Sequence, residues 1–241
     1  MEARGGLLIG PSNGWLFAQK IYDLPEHQKF LNESGSNAVE LVMNLNDSQR
    51  QKSLLSGKVD ASFVSLHLIY FPEKSLEEQV PLAKSIFNRH QAVAGVIHPD
   101  NTPESYLETL VGAGISVAIE NMDKQKACGY AIKELRGLIE KYGLKFVLDS
   151  QHAFEHDIDM NYAWDLFEMA SSNLVYLHVS GQSEKTIHSL VHLADNASAI
   201  VHFLGKVFSE KKFPIILEGG YAEPKEVETE IMFMKKELGF V

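Results

Sequence analysis

The chain has 241 residues, of which 22 are Lys or Arg and 32 are Asp or Glu, so its formal net charge is −10. This acidic balance argues against a protein that holds nucleic acid by bulk charge, although it leaves room for a local basic patch. The only cysteine, Cys128, excludes an internal disulfide and any cysteine-rich zinc or iron–sulfur site.

The same features bear on where the protein works. No segment approaches the roughly 20 apolar residues that a membrane span requires. The segment before Pro11 lacks the layout of a signal peptide, and a chain without disulfides suits a reducing compartment. We therefore expect a cytoplasmic protein without a membrane partner, and the sequence indicates no oligomeric state.

Eight short apolar runs, spaced along the whole chain, predict the strands. Most are near-continuous Val, Ile, Leu and Ala without polar alternation, which is typical of strands buried on both faces of a parallel sheet. The runs are Leu7–Gly10, Ala38–Val42, Ala61–Leu66, Ala92–Ile97, Ile115–Ile119, Lys145–Leu148, Leu174–Leu177 and Pro214–Leu217.

Helical patterns lie between these runs. Ser75–Arg89 and Ala131–Tyr142 carry apolar residues at helical spacing, and Pro103 is typical of a helix start. Eight strand–helix repeats in a chain of this length predict an α/β fold, a closed (β/α)8 or TIM barrel, rather than an open sheet. No linker composition appears, so we expect one domain, residues 1–241. The least periodic segment, Val179–Leu193, is a candidate active-site loop.

The ends of six consecutive runs carry ionisable residues. In such a barrel the active site lies at the carboxyl ends of the strands. Without a bound cation, six successive His, Asp or Glu side chains there would repel one another or lose their hydration at a cost in free energy. Imidazole and carboxylate without thiolate suit Zn²⁺, Mn²⁺ or Fe²⁺. The predicted metal ligands are His67, His98, Glu120, Asp149, His178 and Glu218 at the ends of the runs, with His152 and His188 shortly after the sixth and seventh.

Three further histidines are expected to lie outside the metal site. His27 and His90 lie in or near polar helical segments, so we expect them to face solvent. His202 lies between Val201 and Phe203 on a predicted helix, so we expect it to pack against apolar neighbours.

Several motifs resemble those of the endonuclease IV family (AP endonuclease family 2), whose members have the xylose-isomerase-like TIM barrel. The sixth repeat, Asp149-Ser150-Gln151-His152-Ala153-Phe154, resembles the family signature Asp-x-x-His-Ala-Phe. The resemblance extends over nearly the whole chain at the level of the superfamily. The other similar segments are residues 35–41, His67-Leu68-Ile69-Tyr70-Phe71, His98-Pro99 and Glu120-Asn121.

The resemblance implies three zinc ions. The first would be held by His67, His98 and Glu120, and the second by Glu120, Asp149, His178 and Glu218. His152 and His188 would hold the third, but Thr186 stands where the family has an Asp ligand, and Glu184 is the nearest substitute.

Two activities are compatible with this ligand set. The first is zinc-dependent phosphodiester hydrolysis at abasic sites in DNA, in which Glu120 bridges two ions and Glu218 is both a ligand and a proton acceptor. Tyr70 and Phe71 resemble a substrate-binding wedge for the DNA. The histidine set and the Asp149–Phe154 motif make this hydrolase our main expectation.

The alternative is a sugar or sugar phosphate isomerase or epimerase. Superfamily members of this kind use one Mn²⁺ or Mg²⁺, held by Glu120, Asp149, His178 and Glu218 in this numbering. The two glutamates would exchange a proton with the substrate. The short loops and acidic charge favour a small substrate, whereas the additional histidines favour the hydrolase. A third, non-enzymatic interpretation is a metal-binding barrel without catalysis, which the Thr186 departure allows.

Overall fold

The structure is a computed structural model that describes residues 6–241. Residues 1–5, which belong to the segment that we expect not to be a signal peptide, lie outside this range. The described strands are β1 (Ile9–Pro11), β2 (Ala38–Met43), β3 (Phe63–Leu68), β4 (Gly95–Ile97), β5 (Val117–Glu120), β6 (Lys145–Asp149), β7 (Leu174–Val179), β8 (Gly181–Ser183), β9 (Thr186–Ser189) and β10 (Ile215–Leu217).

Ten α-helices are described in the same range, and most of them connect successive strands of the barrel. None of them is long and apolar enough to cross a membrane. The helices are α1 (Gly14–Ala18), α2 (Leu24–Glu33), α3 (Ser48–Ser56), α4 (Leu76–His90), α5 (Glu104–Gly112), α6 (Ile132–Tyr142), α7 (Ser150–His156), α8 (Asn161–Ala170), α9 (Ala197–Glu210) and α10 (Pro224–Glu237).

Eight parallel strands form a nearly closed barrel in the order β1-β10-β7-β6-β5-β4-β3-β2. The seam between the two ends of this order is joined by a parallel bridge between Ser12 and Glu40. The Asn13 amide donates to the Glu40 carbonyl at 2.8 Å, and the Asn13 side chain accepts from the Val42 amide at 2.8 Å. The predicted α/β (β/α)8 barrel is therefore confirmed.

Each of the eight predicted runs overlaps a barrel strand, but several strands begin later or end later than the run. Ala61–Leu66, for example, becomes Phe63–Leu68, and Ile115–Ile119 becomes Val117–Glu120. An apolar run reports burial, whereas the backbone ladder continues through a polar residue whose side chain faces the barrel interior. As a result, His67 and Glu120 are held by strand hydrogen bonds rather than by a loop.

The barrel interior is filled at its lower end by an apolar cluster to which seven of the eight barrel strands contribute. It contains Ala38, Phe63, Ala94, Val96, Ala118, Val147, Tyr176 and Ile216, all buried. A larger apolar cluster lies between the strands and the surrounding helices. The polar side chains at the strand ends therefore lie above a packed floor rather than in an open channel.

The segment Val179–Leu193 is more regular than its sequence indicates. Strands β8 and β9 pair as an antiparallel hairpin, and Val191–Leu193 forms a short 3₁₀ helix. Its residues Gln182, Ser183 and Thr186 lack an alternating apolar pattern, so the hairpin left no periodic signal.

Our expectations for three histidines are wrong. His27 and His90 are buried, and each donates from Nε2 to a backbone carbonyl at 2.8 Å, Ile21 and Leu54 respectively. A neutral imidazole with its hydrogen bonds satisfied can be buried even in a polar helix. His202 is exposed, because the packed face of α9 is formed by Ile200, Phe203, Leu204 and Val207.

Candidate metal centre

A cavity of about 370 Å³ opens at the carboxyl end of the barrel. Six of the eight predicted ligands line it, and the other two, Asp149 and His178, are buried beneath its surface. The lining residues are Ser12, Gly14, Trp15, Ala18, His67, His98, Glu120, His152, His188 and Glu218. The strand ends thus converge as expected for the active site of such a barrel.

Glu120, Asp149, His178 and Glu218 form what we call the four-ligand group. One ligand atom from each residue lies within 4.8 Å of the others. His178 Nδ1 lies 3.1 Å from Glu120 Oε1 and 3.6 Å from Glu218 Oε1. The four residues come from the ends of β5, β6, β7 and β10, so the barrel brings together side chains from four consecutive repeats.

His67, His98 and Glu120 form the three-ligand group, which shares Glu120 with the first. His98 Nε2 lies 3.3 Å from Glu120 Oε2, and the rings of His67 and His98 have centroids 4.6 Å apart. Glu120 therefore lies between the three-ligand group and the four-ligand group and belongs to both.

His152 and His188 lie on the cavity wall near each other, with ring centroids 6.1 Å apart. His152 Nδ1 lies 2.9 Å from the Asn121 carbonyl, and His188 Nδ1 lies 3.2 Å from Ser180 Oγ. Thr186 and Glu184 are both exposed. Among residues 6–241, no group of three metal-binding side chains includes either of these two imidazoles.

The donors in the four-ligand group fit a divalent cation. Glu120 Oε2, Asp149 Oδ2 and His178 Nδ1 are buried and have no hydrogen-bond partner among the described residues. A buried polar atom without a partner is costly, so these three atoms favour a compensating charge in the site. Three carboxylates and one imidazole are ligands that Mn²⁺, Mg²⁺ and Zn²⁺ accept.

The two glutamates that face the cavity differ in protonation. Burial raises the pKa of Glu218 to about 8, and the nearby carboxylates of Glu120 and Asp149 act in the same direction. Burial also opposes ionisation of Glu120, but the imidazole of His178 holds the pKa of Glu120 well below its usual range. One site therefore combines a carboxylic acid with a carboxylate near neutral pH.

The carboxylates have the opposite effect on the imidazoles. Although burial opposes the charged form, Asp149 and Glu120 raise the pKa of His152 to about 9. The pKa of His178 is likewise raised well above its usual value by Glu218, Glu40 and Glu120, against the effect of burial. Protons therefore occupy this site when no cation does, and a metal ion would displace them.

Glu40 is a residue of the site that our sequence reasoning did not identify as functional. It is fully buried in β2 and contacts both His67 and His178. The signal was present, because Glu40 is the only ionisable residue in the apolar run Ala38–Val42.

The structure does not bring the predicted wedge residues to the cavity. Phe71 is buried in the core between strands and helices, and Tyr70 packs against Tyr106 with ring centroids 5.2 Å apart. The aromatic residue on the cavity wall is Trp15, whose ring packs against Gly220 and whose Nε1 donates to the Glu218 carbonyl at 3.3 Å.

Comparison with known proteins places the fold but not a sequence family. No family model matches the sequence, and no curated protein matches it either. A solved D-tagatose 3-epimerase-like protein superposes with a TM-score of 0.72 at 16% identity, covering 98% of both chains. The chain therefore has the same (β/α)8 barrel fold as that protein.

Two further solved structures agree with this assignment. A putative xylose isomerase from Rhodospirillum rubrum has a TM-score of 0.65 at 11% identity, over 98% of this chain and 99% of that one. D-psicose 3-epimerase with D-tagatose from Clostridium cellulolyticum H10 has a TM-score of 0.64 at 10% identity, over 96% and 99%. The fold level of the resemblance is thereby confirmed.

Proposed function

We propose that this xylose-isomerase-like barrel is a divalent-metal-dependent sugar isomerase or epimerase. The observation that carries the proposal is the compact group of Glu120, Asp149, His178 and Glu218, which places two glutamates beside one possible metal site. The solved epimerases and isomerases of the same fold support this alternative better than they support our first expectation of a hydrolase.

The two glutamates provide the acid and the base that such a reaction requires. Isomerisation or epimerisation removes a proton from a carbon next to a carbonyl and returns one to the substrate. Glu120 and Glu218 would take up that proton and return it, since a carboxylate can accept a proton and then release it. A bound divalent ion supplies polarisation of the substrate's carbonyl and hydroxyl oxygens.

The cavity wall favours an uncharged sugar over a phosphorylated one. None of the ten lining residues is Lys or Arg, which are the side chains that usually bind phosphate. A volume of about 370 Å³ lies within the range of small-molecule sites. The carboxylate-rich four-ligand group favours Mn²⁺ or Mg²⁺, the ions that carboxylates suit best.

One observation favours a second candidate, phosphodiester hydrolysis at abasic DNA. The three-ligand group shares Glu120 with the four-ligand group, an arrangement that suits two neighbouring Zn²⁺ ions and the clamping of a phosphate. The cavity wall contains neither Lys nor Arg, and Tyr70 and Phe71 lie away from it, so both observations favour the sugar substrate over DNA.

The decisive experiment is solvent exchange into candidate sugars. The purified protein, loaded in turn with Mn²⁺, Mg²⁺ and Zn²⁺, is incubated in D₂O with ketoses, aldoses and their phosphates. We expect metal-dependent deuterium incorporation next to the carbonyl of an unphosphorylated sugar, lost on chelation. Metal-dependent nicking of an abasic duplex without exchange into any sugar would favour the second candidate. If the protein catalysed neither reaction, both candidates would be overturned.

A further inference from the structure

Glu40 lies at the centre of the barrel, and both of its carboxylate oxygens face imidazoles. His67 Nδ1 lies 3.1 Å from Oε1, and His178 Nε2 lies 3.0 Å from Oε2. Ser65 Oγ donates to Oε2 at 3.1 Å, and the Tyr176 hydroxyl donates to the same oxygen. Glu40 is fully buried, so no solvent replaces any of these donors.

These contacts determine which ring nitrogen each histidine can offer to a metal ion. An ionised carboxylate only accepts hydrogen bonds, so each ring must direct an N–H at Glu40. His67 is then protonated on Nδ1, which leaves Nε2 as its free nitrogen. His178 is protonated on Nε2, which leaves Nδ1, the atom 3.1 Å from Glu120 Oε1, as its free nitrogen.

We propose that Glu40 is a shared positioning residue of the metal centre. One buried carboxylate fixes the tautomers of His67 and His178, and so couples the three-ligand group to the four-ligand group. A carboxylate that accepts from the second nitrogen of a ligand imidazole is a common feature of metal sites, but here one carboxylate serves two imidazoles. The inference rests on the metal centre of the proposed function and not on the identity of the substrate.

Glu40 is also close enough to His67 and Glu218 to form a metal-binding set with them. Four donors already contact its carboxylate, which argues for the positioning role. Two of them are hydroxyls on Oε2, and the other two are imidazole nitrogens, one on each oxygen. A metal ion at Glu40 would therefore compete with these donors for the carboxylate.

Substitution of Glu40 by glutamine separates the two imidazoles. A glutamine side chain has one carbonyl oxygen and one NH₂ group, so whichever way it points, one imidazole faces a donor. Ser65, Tyr176 and His178 all contact Oε2, whereas only His67 contacts Oε1. We therefore expect the NH₂ group to face His67, whose proton moves from Nδ1 to the nitrogen that would bind the ion.

The test uses long-range ¹⁵N–¹H spectra of the histidine rings in the Zn²⁺-loaded full chain, together with Zn²⁺ affinity measured against a chelating dye. In the wild type we expect the proton of His178 on Nε2 and that of His67 on Nδ1. In Glu40→Gln we expect the proton of His67 on Nε2 and Zn²⁺ affinity about 10- to 100-fold lower. Unchanged proton positions in both rings of Glu40→Gln would overturn the proposal.

Glu230→Gln is the matched control. Glu230 is also buried and also contacts an imidazole, that of His192, but it belongs to neither ligand group. We expect the Zn²⁺ affinity of Glu230→Gln, and the positions of the ring protons of His67 and His178 in it, to match the wild type. A loss of Zn²⁺ affinity as large as that of Glu40→Gln would overturn the specific role of Glu40. A wild-type protein that binds no divalent metal would instead refute the proposed function itself, so the two failures are distinguishable.

Discussion

At the scale of single residues, the surroundings of Glu120 and Glu218 shift their pKa values in opposite directions. Glu120 lies beside the imidazoles of His178 and His98, which stabilise its charge. Burial and the nearby carboxylates raise the pKa of Glu218 to about 8 when no cation is bound. Identical side chains therefore differ in protonation in the cation-free site because of what surrounds them.

Glu218→Gln tests this assignment directly. Glutamine keeps the shape and one oxygen but can neither take up nor release a proton as a carboxyl group does, so we expect kcat for sugar isomerisation or epimerisation to fall by roughly 10²- to 10⁴-fold. The measurement is the rate of deuterium incorporation by the metal-loaded variant, with metal content determined on the same sample.

Glu228→Gln is the control, because Glu228 lies on α10 and pairs with Lys225 at the surface. We expect this variant to keep the wild-type rate. Full activity of Glu218→Gln with bound metal would contradict a role of Glu218 in proton transfer.

At the scale of elements, the barrel depends on close approach of neighbouring strands. Gly10 lies in β1, and a Cβ atom at this position would fall 1.8 Å from the Ala38 carbonyl oxygen of β2. The obstacle is backbone rather than a flexible side chain, so the strands themselves would have to separate. A side chain here would open the barrel at the seam where its two end strands meet.

Gly10→Ala is therefore expected to destabilise the fold by about 1–3 kcal/mol or more, as overpacking of a close contact does. Gly205 supplies the comparison, since it lies inside α9 and a Cβ atom added there would meet nothing within 4 Å. We expect Gly205→Ala to stabilise the protein by about 0.5–1 kcal/mol. Both values are measured by urea unfolding, and equal stability of the two variants would contradict the seam geometry.

At the scale of the whole molecule, buried neutral histidines make stability depend on pH. His27 donates from Nε2 to the Ile21 carbonyl, and burial lowers its pKa from the usual 6.5. The unfolded chain therefore binds a proton more readily than the folded one. The contribution of His27 is complete above pH 6.5 and is lost as the pH falls below that value.

His27→Gln tests this sign. We expect the difference in unfolding free energy between pH 7.5 and pH 5.5 to be smaller in the variant by about 1 kcal/mol, since one pH unit is worth about 1.4 kcal/mol. Urea unfolding in the presence of a chelator gives the values. His202→Gln, at an exposed position, should keep the wild-type pH dependence. A variant at position 27 with wild-type dependence would show that His27 does not titrate in this range.

The sequence by itself determined the repeat of strand and helix and predicted most of the candidate ligand set. Apolar runs and helical spacing are local signals, and closure of eight repeats brings residues such as Asp149 and Glu218 together without further information. The order of residues along the chain was therefore enough to predict the four-ligand group, which the structure brings together.

Tertiary structure alone decided what surrounds those ligands. Glu40 meets His178 across 138 residues of chain, and the choice of ring nitrogen follows from that contact rather than from either strand. Tyr70 and Phe71 follow a ligand in sequence but turn away from the cavity, whereas Trp15 reaches its wall from the first repeat. Burial, protonation and the shape of the wall depend on contacts between distant segments, and local patterning carries no record of them.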